Sequence, residues 1–215
     1  MPCRFAPHID IDMGLFSFFR ISKPSQEKVA PEKEADTYRT LRNRTFWGAT
    51  VAYSLYYVCR MSLSVVKQPL IDEGILTAGE LGVIGSALLF VYAVGKFLNG
   101  FIADYCNIKR FMATGLFLSA LVNLLLGVLG VFHDYMPLST AVIFFSFAVL
   151  WGVNGWMQSM GSPPGVICLS RWFPKSKRGT YYSIFSSTPY IGEFLSFVIT
   201  GLIVGALGWK AGFIV

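Results

Sequence analysis

Residues 81–102, LGVIGSALLFVYAVGKFLNGFI, form an unbroken apolar run with Lys96 as its one charged side chain. About 20 such residues cross the hydrocarbon core of a bilayer. This leaves the chain few options. With no water to satisfy its backbone, a lipid-embedded segment must be helical or close into a barrel. Similar runs recur at 46–66, 111–132, 138–172 and 181–207, and a sixth begins near 211. All are too long for barrel strands, which need about ten residues. The chain is 54% hydrophobic and 14% charged, with a mean hydropathy of +0.55, outside the range of ordinary soluble domains. The fold class expected is an all-α membrane protein.

The domain reading has two parts. Residues 1–44 are expected to be a cytosolic tail, polar through SQEKVAPEKEAD and ending in a short amphipathic segment, Tyr38–Arg44, at the interface. Residues 45–215 are expected to be the transmembrane bundle. Gln68–Glu80 reads as a loop, with Thr77 and Glu80 spaced as a capping box for the second span. Asp104–Arg110, His133–Pro137 and the basic Phe173–Arg178 read as further short loops, and Trp209-Lys210 as a tight turn. Pro163-Pro164 must bend or interrupt the long fourth run, because proline lacks the helix-forming N–H.

Loop charges set the orientation. Arg39, Arg42, Arg44, Lys109, Arg110, Arg171, Lys175, Lys177 and Arg178 fall on one side; Lys67 and Lys210 fall on the other. The amino terminus is therefore expected in the cytosol. No cleavable signal peptide is expected, since the apolar run in MGLFSFFRISK is too short. Met1–Asp12 differ in character from the rest and suit an upstream start, with Met13 as the alternative.

Other function classes find little support. The net charge of +6 is scattered among apolar spans, so lipid headgroups and topology account for it better than nucleic acid does. Cys3, Cys59, Cys106 and Cys168 show no paired spacing, and no metal site or cofactor is expected. SMGSPPG lacks a P-loop lysine, and both histidines, His8 and His133, lie in tail or loop. No catalytic set is present, so the chain does not read as an enzyme.

The informative residues are the polar ones at depth. Arg60 is the one charge in FWGATVAYSLYYVCRMSLSVV, with Tyr53, Tyr56 and Tyr57 just before it. A charge at the centre of a bilayer costs about 2.5–3.5 kcal/mol on insertion scales, so it persists where it faces protein and acts. Its planar fork matches phosphate or carboxylate. At about 1.5 Å per residue, Arg60 and Gln158 both lie about 21 Å from the cytosolic end, Glu193 about 18 Å and Lys96 about 12 Å. Lys96 either snorkels to the interface or lines a polar stripe with Tyr92 and Asn99. Gln158 either joins two helices by hydrogen bonds or faces a site. Glu193 is either a counter-ion for Lys96 or Arg60, or protonated in place.

Several stretches resemble a known family. Gly100-Phe-Ile-Ala-Asp104-Tyr-Cys-Asn-Ile-Lys109-Arg110 is similar to the loop motif of the major facilitator superfamily, an acidic residue at a helix end followed by two basic ones. Tyr53-Ser-Leu-Tyr-Tyr-Val-Cys-Arg60 resembles the first helix of its organophosphate:phosphate antiporters, which carry glycerol-3-phosphate and hexose phosphates. Tyr92-Ala-Val-Gly-Lys96-Phe and Gly155-Trp-Met-Gln158-Ser-Met-Gly-Ser-Pro-Pro164 are similar to the second and fourth helices of that family. Arg171-Trp-Phe, Lys177-Arg178-Gly179 and Trp209-Lys-Ala-Gly-Phe213 extend the likeness, which covers about Tyr38 to Val215. Two departures concern the site. Met61 stands where the bacterial transporters often have a basic residue, and Pro189-Tyr-Ile-Gly-Glu193 replaces a His-Asn-Val-Gly-Gly pattern.

The resemblance implies the amino-terminal six-helix half of a major facilitator fold, with the sixth helix cut short and a carboxy-terminal half missing. It implies a multi-pass protein of the plasma membrane, a bacterial inner membrane in the family's best-known members. Its partners would be a small organic phosphate, inorganic phosphate and the lipid bilayer. Arg60, Lys96, Tyr53, Tyr57 and Gln158 would contact substrate, and Asp104, Lys109 and Arg110 would form a gating latch. The activity implied is exchange of a phosphorylated small molecule for phosphate by alternating access. Two rivals stand beside it: a transporter-like sensor of hexose phosphate acting with a histidine kinase, and an inactive half-length fragment.

Overall fold

The apolar runs between residues 46 and 207 become helical, because only intrasegment hydrogen bonds satisfy a backbone without water. The computed structural model describes residues 17–21 and 29–213. The helices are α1 (Pro31–Asp72), α2 (Ala78–Tyr105), α3 (Ile108–Tyr135), α4 (Thr140–Gln158), α5 (Ser162–Trp172) and α6 (Lys175–Leu207), followed by a 3-10 turn at Ala211–Phe213. No strand occurs among the described residues. Cys3, His8, the alternative starts Met1 and Met13, and any sixth span beyond 213 lie outside them.

Four stretches are long and apolar enough to cross a membrane: α2, α3, α6, and α4 with α5 taken together as Thr140–Trp172. The α1 segment is not among them, because Arg60 and the tyrosines around it lower its hydropathy. A helix polar in its middle is shielded by protein on that side.

The helices outrun the expected spans. α1 starts at Pro31, so the expected tail is helical over its last stretch, with proline in the first turn and Glu32 and Glu34 against the positive end of the helix dipole. Its 42 residues measure about 63 Å, roughly twice the thickness of the hydrocarbon core. The expected loop Gln68–Glu80 contracts, since α1 runs on through Pro69 to Asp72 and α2 starts at Ala78. Thr77 and Glu80 form the expected capping box, with Thr77 N–H donating to Glu80 Oε2 at 2.7 Å and Glu80 N–H to Thr77 Oγ1 at 3.3 Å. Asp104–Arg110 is likewise mostly helical: only Cys106 and Asn107 lie between α2 and α3, and Asn107 caps α3. The basic loop Phe173–Arg178 reduces to Phe173 and Pro174, with Lys175 opening α6. Charged residues read as loop thus occupy helix ends.

The fourth run breaks as the prolines require. α4 stops at Gln158, Ser159–Gly161 turn, and α5 restarts with prolines in its first turn. Pro189 is tolerated inside α6, where the Thr188 hydroxyl bonds to the Phe185 carbonyl.

The most extensive contacts pair α1 with α6 and α2 with α4. Two glycines permit these approaches. A Cβ on Gly192 would overlap the Ser54 carbonyl, and one on Gly155 would overlap that of Leu88. Inside, two of the buried apolar clusters are separated by a polar layer. Phe46, Tyr53, Tyr56, Met112, Leu169, Phe173 and Phe185 fill one end. Leu63, Val66, Leu126, Phe147, Trp151, Trp209 and Phe213 belong to the other. Between them lie the buried polar side chains Ser62, Ser119, Asn123, Asn154 and Gln158.

Candidate functional site

Tyr53, Tyr57 and Arg60 recur along α1 at i, i+4 and i+7, which brings them to one face of the helix. Tyr92 and Lys96, at i and i+4, do the same on α2. The two faces meet. Arg60 Cζ lies 4.6 Å from the centre of the Tyr92 ring and 5.6 Å from that of Tyr57. Lys96 Nζ lies 5.4 Å from the same Tyr92 ring. Arg60, Tyr57 and Tyr92 are half-buried, and Lys96 is exposed. Tyr53 is buried, stacked on Phe185 at 4.8 Å and edge-on to Tyr57 at 5.4 Å.

Neither Arg60 nor Lys96 forms a hydrogen bond or ion pair among the described residues; the rings are their partners. Cation–π contact is worth about 0.5–2 kcal/mol, more as water is excluded. It leaves the edge of the guanidinium, where its five N–H groups point, free for an acceptor. Two cations sharing one ring also repel each other, and an anion between them would relieve that repulsion.

Gln158 is set apart from this cluster. It is 3% exposed, and its Nε2 donates to Ser119 Oγ at 2.8 Å, so it joins α4 to α3. Ser119 donates in turn to Asn154 Oδ1 at 2.6 Å. Asn123 Nδ2 donates to the Cys59 and Ser119 carbonyls at 3.0 and 2.9 Å, and its oxygen accepts from Ser62. This network backs α1 at Cys59, the residue before Arg60. Glu193 is half-buried beside Gly192, which packs on Ser54 and Tyr57, and makes no ion pair with Arg60 or Lys96 among the described residues. Asp104, Lys109 and Arg110 are exposed at the α2–α3 turn. The Asp104 carbonyl accepts from Arg171 Nη2 at 3.2 Å, and Arg110 Nη1 donates to the Phe18 carbonyl at 2.9 Å.

Sequence reasoning noticed Tyr92 only as a neighbour of Lys96; the structure makes it the ring common to both cations. Ser119, Asn123 and Asn154 escaped attention, although Ser119 with Asn123, and Asn154 with the already noted Gln158, are polar at i, i+4 inside an apolar run. That spacing was the available signal.

The arrangement is that of a polytopic helical membrane protein with a basic, aromatic-lined face. Residues 17–215 match the Major Facilitator Superfamily. The probable hexose phosphate transport protein of Chlamydia pneumoniae is 34% identical over 193 residues, covering 90% of this chain and 40% of that protein. The glycerol-3-phosphate transporter of Bacillus subtilis is 34% identical over 191 residues, covering 88% and 41%. Membrane sensor protein UhpC of Escherichia coli is 26% identical over 178 residues, covering 83% and 38%. A crystal structure of a bacterial homologue of the human lysosomal transporter Spinster, inward-facing and unoccupied, superposes with a TM-score of 0.63 at 18% identity, over 80% of this chain and 39% of the other.

The chain belongs to the Major Facilitator Superfamily. It is an all-α, multi-pass membrane protein that spans about 40% of the length of the curated relatives it matches. Those relatives are transporters and a sensor, not enzymes.

Proposed function

We propose that this chain forms the amino-terminal half of a secondary transporter for a phosphorylated small molecule, such as glycerol-3-phosphate or a hexose phosphate. Transport is by alternating access in exchange for inorganic phosphate. The observation that carries the reading is the Arg60 guanidinium, held by two tyrosine rings with no acidic partner among the described residues. Its companions at the site are Lys96, Tyr53 and Tyr57. Gln158 serves from behind, through Ser119, until a change of state frees it. A phosphoryl group accepts hydrogen bonds on several oxygens, which suits a guanidinium fork and an ammonium converging from two helices. Asp104, Lys109 and Arg110 latch the cytosolic side, and Glu193 balances the cations when the substrate has left. The amino terminus is cytosolic, and the membrane is the plasma membrane, the inner one in a bacterium.

The test is exchange. Proteoliposomes holding the full-length protein and loaded with phosphate are given labelled glycerol-3-phosphate or glucose-6-phosphate. Uptake that requires internal phosphate and is lost in Arg60→Ala supports the proposal. Uptake indifferent to both refutes it. The likeness to UhpC favours a second reading, a membrane sensor of an organophosphate. Saturable binding of glucose-6-phosphate with no uptake would select it, and absence of both would refute both readings.

A further inference from the structure

The stretch before α1 does not read as part of the bundle, yet it is seated on the α2–α3 turn. The Asn107 N–H donates to the Phe19 carbonyl at 2.7 Å, and Arg110 Nη1 to the Phe18 carbonyl at 2.9 Å. The Arg110 guanidinium carbon also lies 5.2 Å from the centre of the Phe18 ring. Phe19 sits edge-on to Phe111 at 5.9 Å and packs against the buried cluster of Ala103, Cys106, Phe111 and Met160. Backbone, charge and apolar contacts thus converge on two residues.

The cytosolic end of α1 makes a second attachment. Tyr38 donates its hydroxyl to the Trp172 carbonyl at 2.8 Å, and the Arg42 guanidinium lies 5.3 Å from the Phe173 ring centre. The sequence preceding the first span therefore fastens both cytosolic turns. Arg110 is the contested residue. Its fork holds the Phe18 carbonyl, and it forms no ion pair with Asp104 of its own turn among the described residues. Docking of Phe18-Phe19 and latching through Arg110 therefore compete for one guanidinium.

We propose that residues 17–21 form a releasable strap that occupies the α2–α3 turn, shields Cys106 and slows the conformational cycle while docked. The contacts suit reversible release: Phe18 is 53% exposed, and Arg110, which holds its carbonyl, is exposed as well. Segments held in this way open at low free energy.

Cys106, 9% exposed in the cluster that Phe19 packs against, is a built-in reporter. Membranes holding the full-length protein are treated with a membrane-permeant maleimide, and labelling at Cys106 is followed by peptide mass spectrometry. The double variant Phe18→Ala/Phe19→Ala should label about tenfold faster. Arg110→Lys, which keeps the charge but loses the fork, should label at an intermediate rate, and Phe19→Leu should stay near wild type. Initial uptake of glucose-6-phosphate should rise about twofold or more in the double variant. Unchanged labelling in the double variant overturns the strap. Faster labelling with unchanged or lower uptake overturns its role as a brake. The uptake arm rests on the transporter reading, whereas labelling needs no substrate. Wild-type protein that takes up nothing therefore refutes that reading, and the labelling rates still decide the strap.

Discussion

The Arg60 guanidinium carbon sits 4.6 Å from the centre of the Tyr92 ring, so a charge on the first helix is held by an aromatic face on the second. This contact aligns the cation without neutralising it. An acidic partner would hold Arg60 more tightly, but a substrate anion would then have to displace it. A ring leaves the charge available.

The ring should matter more than its hydroxyl. Tyr92→Phe should keep affinity for the organophosphate within about twofold, while Tyr92→Leu should weaken it about fivefold or more, the scale of a cation–π contact of roughly 1 kcal/mol. Titration of the full-length protein with the two variants separates the cases. Equal loss in both would mean that the hydroxyl, not the face, is the working group.

The polar layer should be unequal in its energetics. Removing Asn123 takes an acceptor from the Ser62 hydroxyl, which keeps only the Cys59 carbonyl at 3.2 Å, and a side-chain donor from each of the Cys59 and Ser119 carbonyls. Asn154 contributes one acceptor to Ser119, and its Nδ2 has no partner among the described residues. Asn123→Ala should therefore cost about 1–2 kcal/mol and Asn154→Ala clearly less. Thermal unfolding in detergent gives the order, and the reverse order would refute the network as described.

Helix approach supplies a third prediction. Gly192→Ala places a methyl group against the Ser54 carbonyl, whereas Gly201 has nothing within 4 Å of an added Cβ. Gly192→Ala should lower the unfolding midpoint. Gly201→Ala should leave it unchanged or raise it slightly, because alanine is the better helix former. Equal midpoints for the two would show that α1 and α6 do not pack this closely.

Glu193 bears on coupling. If it balances Arg60 and Lys96 once substrate has left, Glu193→Gln should raise uncoupled leak through the full-length protein while phosphate exchange continues. Coupling indistinguishable from wild type would remove that role.

Much of the architecture was legible because a bilayer imposes length and helicity together. Runs of membrane length had to be helices, and Pro163-Pro164 had to interrupt the fourth; α4 ends at Gln158 and α5 begins at Ser162. Helix ends were misread where charge was taken for loop. Pro31–Arg44 and Lys175–Arg178 are polar, yet their helices continue through them, because charge does not prevent helix formation. The pairing of Arg60 with Tyr92 could not be read, since the spacing within each helix gives a face but not the face it meets. Gln158 was placed at the depth of Arg60, but depth is one coordinate of three. Its contact with Ser119 shows it turned into the bundle, toward α3.

The central claim is that Arg60 binds a phosphoryl group through its fork. The direct measurement is calorimetric binding of glucose-6-phosphate and of inorganic phosphate to the full-length protein, wild type against Arg60→Lys. Lysine keeps the charge and loses the paired, coplanar donors. The account predicts affinity for both ligands lowered about tenfold or more, the scale of losing one charge-assisted hydrogen bond. Unchanged affinity for both ligands in a folded Arg60→Lys protein would contradict it.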